Sequence, residues 1–135
     1  MRVMALDVGQ KRIGVAVSDP EGITAQPLAT INRDGSELEV LRSLCEETGA
    51  QRLVVGLPLL MDGSEGEQAR ASRSFGELAG EYTGLPVAYQ DERLTTREAE
   101  AVAAEARLPR RARRSASDRI AAALLLRAYL ESEGD

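Results

Sequence analysis

A single acidic residue interrupts the first apolar run of this chain. Residues 4–9 read Met-Ala-Leu-Asp-Val-Gly, so Asp7 lies at the end of a segment typical of a buried strand. A second strand-like run follows at residues 13–18, and Gly9 allows the chain to reverse between the two. Gly14 keeps the second strand thin where another group must approach closely. A lone carboxylate at the end of a buried strand, with open space in front of it, predicts a metal-dependent phosphate chemistry.

The composition removes most rival chemistries. The chain contains no histidine and one cysteine, which excludes imidazole general bases, Ser-His-Asp triads and zinc fingers. Catalysis would then depend on Asp and Glu with a hard cation such as Mg²⁺ or Mn²⁺, because these ions prefer oxygen ligands. Cys45 shares the apolar side of a predicted helix with Leu38, Leu41 and Leu44, so we expect it to be a small core residue.

The length of 135 residues predicts one domain over residues 1–135. Such a domain buries roughly two thirds of the surface that its unfolded chain would expose. We find neither a charged-then-apolar leader nor an apolar run near the ~20 residues needed to cross a bilayer, and therefore expect a cytoplasmic protein. The net charge of −5 argues against a generally basic protein that coats nucleic acid.

Positive charge is nevertheless concentrated in one short segment near the C-terminus. A charge run is usually a solvated surface, but cations beside a candidate acid would neutralise phosphates and steer a polyanion toward it. This segment therefore favours nucleic-acid binding. The acid there is Asp118, and the arginines are Arg107, Arg110, Arg111, Arg113, Arg114 and Arg119.

Three strand-like segments are followed by alternating helices and strands. The third strand is predicted at residues 26–32, and later strands at 52–56 and 85–90. Helices are predicted from residue 36 to Gly49, from 64 to about 82, and from 95 to just before Pro109. A last helix, at residues 121–130, is apolar nearly all round and should be buried. Capping boxes are predicted at three helix starts, formed by Ser36 with Glu39, Ser64 with Glu67, and Thr95 with Glu98.

This order of elements predicts an α/β fold with a five-stranded mixed sheet and helices on both faces. The three N-terminal strands would be antiparallel and the last two parallel to the first, which is the ribonuclease H-like architecture. Parallel strands present their carboxyl ends at one edge, where open α/β sheets bind their ligands. Asp7 and the Asp91-Glu92 pair would then share that edge.

Four motifs in a fixed order give a more specific indication. They are Ala-Leu-Asp-Val-Gly at 5–9 with Gly-Val-Ala at 14–16, Val-Val-Gly-Leu-Pro-Leu at 54–59 with Met-Asp-Gly at 61–63, Asp-Glu-Arg-Leu-Thr-Thr at 91–96 with Ala99, and Asp118 before Ala-Ala at 121–122 and Tyr-Leu at 129–130. Over essentially the whole chain this combination resembles the YqgF/RuvX family. Members resemble the bacterial junction resolvase RuvC in fold. They are described as Holliday junction resolvases, or as nucleases that mature the 5′ end of pre-16S rRNA.

The resemblance implies that Asp7, Glu92 and Asp118 form a catalytic, metal-binding acidic triad. If the fifth strand lies two places from the first, their backbones are ~9 to 10 Å apart, at ~4.8 Å per strand. An aspartate and a longer glutamate would then bracket two Mg²⁺ or Mn²⁺ ions ~3.5 to 4 Å apart. Gly56, on the strand between them, has no side chain to fill the gap. Two such metals activate water for attack on a phosphodiester without any histidine.

Each acid also has a structural interpretation. Asp7 could cap a turn, although a carboxylate closing so apolar a strand is costly without a partner. Either Asp91 or Glu92 could be a turn residue or an ion-pair partner of Arg93. Asp118 could simply be the acid of a helix start, where negative charge is favourable.

The predicted substrate-binding residues are cationic or hydroxyl-bearing. Lys11 and Arg12 lie at the predicted hairpin tip and would grip a phosphate or form a solvated turn. The others are Arg93, Thr96, Arg110, Arg111, Arg113 and Arg114. Relatives often carry lysine and glycine in the arginine segment, whereas this chain has Pro109 and no glycine there.

A structured nucleic acid is the expected substrate. Aromatic residues are only 3% of the chain, so base stacking cannot dominate affinity. The expected activity is that of an endonuclease on branched DNA, such as a four-way junction, with pre-16S rRNA as the alternative. A resolvase that cuts two symmetric strands should act as a homodimer. Two other classes are weighed: a nucleotide-binding module like the phosphate loop of actin and sugar kinases, and a non-catalytic RNA- or transcription-associated factor. The first normally requires a duplicated domain.

Overall fold

The computed structural model describes residues 1–92 and 110–133, and only the backbone of residues 110–113. Three helices and five strands lie in this part of the chain. The strands are β1 (Val3–Val8), β2 (Arg12–Ser18), β3 (Ala25–Asn32), β4 (Arg52–Leu57) and β5 (Val87–Asp91), and the helices are α1 (Glu37–Thr48), α2 (Glu67–Thr83) and α3 (Arg110–Glu133). No helix in the described ranges is long and apolar enough to cross a membrane.

The strands form one mixed sheet in the order β3-β2-β1-β4-β5. The first three are antiparallel, and β4 and β5 run parallel to β1 and to each other. The predicted ribonuclease H-like sheet is therefore confirmed, including the position of β5 two places from β1. The near-continuous apolar sequence of β4 suits a central strand covered on both faces.

The two faces of the sheet carry separate cores. Alternate residues of β1, among them Val3 and Ala5, pack with Val54 of β4 against Leu125 and Leu126 of α3. The intervening residues face α1 and α2, in a second core that includes Met4, Leu6, Leu41, Val55 and Phe75. Cys45 belongs to this second core and is a free, buried thiol, as predicted. Because Asp7 continues the row of Val3 and Ala5, it lies on the α3 face.

β3 is an edge strand with irregular pairing. Ala29 pairs with Val15, but the next pair toward the N-terminus of β3 joins Pro27 to Ala16, so one residue of β3 is extra. Such a bulge bends the strand. Proline is tolerated here because an edge strand does not need every N–H for the sheet.

Two of the predicted capping boxes are wrong. Ser36 precedes α1 but makes no capping hydrogen bond with its side chain, and Gly66, not Ser64, precedes α2. Both serine hydroxyls instead donate to the aspartate two residues earlier, Asp34 and Asp62 respectively, each at 2.6 Å. The local Asp-x-Ser turn competes successfully for the hydroxyl. The predicted helix from residue 95 and its capping box lie outside the described residues.

The last helix begins earlier than expected. It starts at Arg110 rather than near residue 121. Asp118 therefore lies about two turns inside α3, where the favourable interaction of an acid with a helix N-terminus has faded. The interpretation of Asp118 as the acid of a helix start is wrong.

Candidate active site

Asp7 lies between two glycines on the α3 face of the sheet. On one side it pairs directly with Gly14 of β2. On the other, the last parallel pair joins Leu6 to Val55, so Gly56 is the next residue in register beside Asp7. The Asp7 side chain is thus flanked on both neighbouring strands by positions without side chains. Each of these positions is overlaid by part of another candidate acid.

Gly14 makes room for α3. A Cβ atom at this position would overlap the backbone carbonyl of Asp118. The close approach of helix and strand therefore requires glycine here, and it brings Asp118 over the strand next to Asp7. The close approach predicted at Gly14 is therefore confirmed, and its partner is the backbone of Asp118.

Gly56 makes room for Glu92. A Cβ atom on Gly56 would overlap the Glu92 carboxylate. Glu92 follows β5 directly, and its backbone N–H donates to the carbonyl of Leu57 at 3.2 Å. The side chain consequently lies across β4 toward Asp7. Asp91, by contrast, ends β5 as an exposed residue.

The Glu92 carboxyl group is buried in an unfavourable environment. The residue is only 7% exposed, and among the described residues its Oε2 atom has no hydrogen-bond partner. Burial raises the pKa of Glu92 to about 10, assisted by the negative charge of Asp7, by a hydrogen bond with Asp7 and by the charge of Asp91. A buried carboxylate without a cation is costly, so this group binds a proton at neutral pH.

Asp7 experiences the same environment. Burial raises its pKa, the hydrogen bond with Glu92 acts in the opposite direction, and the negative charge of Asp118 raises it further. The two carboxyl groups therefore behave as a coupled pair that shares a proton. Perturbed acids of this kind are typical of functional sites.

Asp118 is held by an arginine. Its Oδ2 atom accepts a hydrogen bond from Nε of Arg12 at 2.6 Å, and both side chains are partly exposed, at 24% and 31% respectively. Within the described residues, no group of three or more acidic or cysteine side chains is close enough to hold a metal ion. The structure thus brings Asp7 and Glu92 together and leaves Asp118 beside them, paired with Arg12.

The predicted substrate-binding residues are only partly described. Lys11 is exposed at the turn between β1 and β2, whereas Arg12 is the first residue of β2. Arg114 lies on α3, where it lines a cavity together with Arg12. Arg93 and Thr96 lie outside the described residues. Arg110, Arg111 and Arg113 are in the first turn of α3, and their side chains are not described.

Sequence reasoning missed the neutral lining of that cavity. Thr30 and Asn32 of β3 and Ser115 of α3 complete it. Uncharged hydroxyl and amide side chains on an edge strand give no charge pattern to detect. The only available signal was strand register, which pairs Asn32 with Arg12 and Thr30 with Gly14.

Curated relatives match almost the full length of this chain. One from Moorella thermoacetica is 50% identical and covers 99% of this chain and 97% of its own length. Others from Syntrophomonas wolfei and Lactococcus lactis are 44% and 46% identical, each covering 97% of this chain and 94% of the relative. All three are named as pre-16S rRNA nucleases.

A solved structure and a family model also match nearly the whole chain. Thermus thermophilus RuvC, in complex with a Holliday junction substrate, matches with a TM-score of 0.60 at 16% identity, over 99% of this chain and 96% of that one. At this identity the likeness shows the fold alone. The family model that matches, over residues 1–132, is described as RuvX, Holliday junction resolvase. The chain therefore belongs to the RuvX (YqgF) family and is a nuclease, a hydrolase of phosphodiester bonds.

Proposed function

We propose that this chain is a divalent-metal-dependent endonuclease whose candidate catalytic acids are Asp7, Glu92 and Asp118. The observation that carries the proposal is the buried Glu92 carboxyl, which faces Asp7 and has an oxygen without a partner among the described residues. Two acids that repel each other in a buried setting would be stabilised by a cation between them. The alternative ligand Asp91 is exposed, so Glu92 is the better candidate.

The residues at this edge fit a hard cation such as Mg²⁺ or Mn²⁺. The ligand atoms are carboxylate oxygens, which such a cation prefers. Because Gly56 has no side chain, the Glu92 carboxylate can lie over β4. Asp7 and Glu92 would provide the first ligands. Asp118 would join them after its carboxylate leaves Nε of Arg12.

When bound, a pair of such cations would activate water for attack on a phosphodiester and stabilise the departing 3′ oxygen. The chain itself would hold and orient the strand. Arg12, once released from Asp118, would donate hydrogen bonds to a phosphate oxygen, since a guanidinium has five N–H donors. Lys11 at the adjacent turn would add positive charge.

We propose pre-16S rRNA as the first substrate to test, ahead of the four-way DNA junction expected from the sequence. The support is the name shared by relatives of 44 to 50% identity, whereas the RuvC likeness is one of fold only. The family description favours the junction as the second candidate. The chemistry at the acids would be the same for both.

The test is cleavage of a 16S rRNA precursor and, separately, of a synthetic four-way junction, each with Mg²⁺ or Mn²⁺ and with EDTA. Asp7→Asn and Glu92→Gln should each lower kcat/KM at least about 100-fold. Glu131→Gln is the matched control, because this exposed acid lies near the far end of α3, and it should cleave like the parent.

A second readout separates metal binding from activity. Titration of Mn²⁺ into the parent, followed by its electron paramagnetic resonance signal, should show binding that Asp7→Asn weakens. Cleavage that survives Asp7→Asn would contradict the proposed site. Tight RNA binding without any cleavage would favour the non-catalytic factor instead.

A further inference from the structure

We propose that the cavity between β3 and α3 binds the sugar-phosphate backbone of the substrate strand, next to the phosphate that is cut. We call it the flank cavity. It is lined by Arg12, Thr30, Asn32, Arg114 and Ser115 and measures about 350 Å³. The inference rests on the proposed function, and it names where the strand runs after it passes the acids.

The charge of the lining favours an anion. Arg12 from β2 and Arg114 from α3 provide two guanidinium groups, and the other described lining residues are neutral hydroxyl or amide residues. No carboxylate is among these described lining residues. Two arginines converging from different elements are suited to phosphate oxygens, which a guanidinium binds through paired N–H groups.

The walls of the flank cavity are held together by hydrogen bonds. The Thr30 hydroxyl donates to the backbone carbonyl of Ser115 at 2.7 Å. Arg119 donates through Nη1 to the Ser115 hydroxyl at 2.9 Å. The same Nη1 atom lies 3.5 Å from the Thr30 hydroxyl, so Thr30 connects the edge strand to α3 through both residues and the cavity wall is hydrogen-bonded. Its volume falls within the range of small-molecule sites, roughly 300 to 1,000 Å³.

Arg12 connects the flank cavity to the acids. Its Nε atom donates to Asp118, while the side chain also lines the cavity. When Asp118 leaves Arg12 to join the cation, the same guanidinium can therefore donate to a phosphate in the cavity. Thr30, Gly14 and Asp7 lie side by side on β3, β2 and β1. Asn32 pairs with Arg12 two residues further along β3 and β2, on the same face of the sheet. A strand that leaves Asp7 toward β3 enters this cavity.

Asn32 offers a test that leaves the acids and Arg12 unchanged. It is exposed on the edge strand, so substitution should not disturb the core. Asn32→Asp places a negative charge and Asn32→Lys a positive charge at the cavity. The matched controls are Gln26→Glu and Gln26→Lys, which make the same charge changes at the exposed, opposite end of β3. The two positions are roughly 20 Å apart along the strand, beyond the Debye length of about 8 Å at physiological salt.

Binding is measured by fluorescence anisotropy with a labelled 16S rRNA precursor fragment and a labelled four-way DNA junction, in EDTA and physiological salt. Asn32→Asp should raise Kd about five- to tenfold and Asn32→Lys should lower it, while both Gln26 variants should stay within about twofold of the parent. In cleavage assays Asn32→Asp should raise KM and leave kcat unchanged. Circular dichroism and thermal unfolding verify that every variant folds.

The possible outcomes separate this inference from the proposed function. If the Asn32 charge series leaves Kd unchanged, or the Gln26 series changes it equally, the flank cavity does not hold the strand, whatever Asp7→Asn does to cleavage. If the Asn32 series changes Kd as expected and no substrate is cut, strand binding stands and the endonuclease proposal fails.

Discussion

Replacing Glu92 by glutamine should stabilise the protein at alkaline pH while abolishing its activity. The substitution keeps the shape of the side chain and its hydrogen-bonding capacity but removes the ionisable group. In the parent, the folded environment raises the pKa of Glu92 from an ordinary 4.5 to about 10, mainly through burial and then through the charge of Asp7. The folded protein therefore holds a proton that the unfolded chain has already lost at neutral pH.

The direction and size of the effect follow from proton linkage. The contribution of Glu92 to the free energy of unfolding is fully present below about pH 4.5 and is lost as the pH rises toward 10. Between these values the folded state binds one more proton, so this free energy falls by roughly 1 to 2 kcal/mol per pH unit. Glutamine does not titrate. The stability advantage of Glu92→Gln should thus grow by roughly 3 kcal/mol between pH 6 and pH 8.

The assay is urea unfolding of the parent and Glu92→Gln, followed by circular dichroism in EDTA at pH 6, 7 and 8. The glutamine amide can donate a hydrogen bond to Asp7 as the protonated Glu92 carboxyl does, so the titration of Asp7 should change little between the two proteins. Glu131→Gln is again the matched control, and its curves should remain parallel to those of the parent. A free-energy difference between parent and Glu92→Gln that is the same at pH 6 and pH 8 would refute the reasoning. It would mean that Glu92 does not retain its proton on folding.

Three further outcomes follow from the same geometry. Gly14→Ala should lower the free energy of unfolding by roughly 1 to 3 kcal/mol, because the new Cβ would overlap the Asp118 backbone. Gly66→Ala is the control and should lower it less, because its Cβ meets only the flexible side chain of Leu60. Urea unfolding measures both changes. Mn²⁺ should raise the Tm of the parent at pH 8 but raise that of Asp7→Asn much less, and equal shifts would exclude this site. Arg114→Gln should reduce the slope of log Kd against log salt by about one, and an unchanged slope would remove Arg114 from the strand contact.

The sheet was predictable because its signals are local and strong. The apolar run before Asp7, the all-apolar β4 and the alternation of helices with strands determine element types, and short connections leave few topologies. That topology places Asp7 and the Asp91-Glu92 pair at one edge, and the family resemblance selects Glu92. The two glycines beside Asp7 were also visible in the sequence as positions of close approach.

Contacts that depend on long-range packing were not predictable. The ion pair between Arg12 and Asp118 joins residues 106 positions apart, and no local pattern selects Arg12 over Lys11. The sequence does not reveal the early start of α3, because its arginine-rich first turns lack the apolar periodicity that indicates a helix. Ser36 and Ser64 match a capping pattern, but their hydroxyls donate to the aspartates two residues earlier and not to the helix backbone.

The proline in β3 restricts how copies of this protein can assemble. Sheet-forming proteins often associate by joining exposed edge strands into one continuous ladder. Pro27 lacks an N–H donor, and the adjacent extra residue breaks the even spacing that such a ladder requires. If the protein works as a twofold pair on a symmetric substrate, the two sheets should not merge through β3, and the contact between copies should form on another surface.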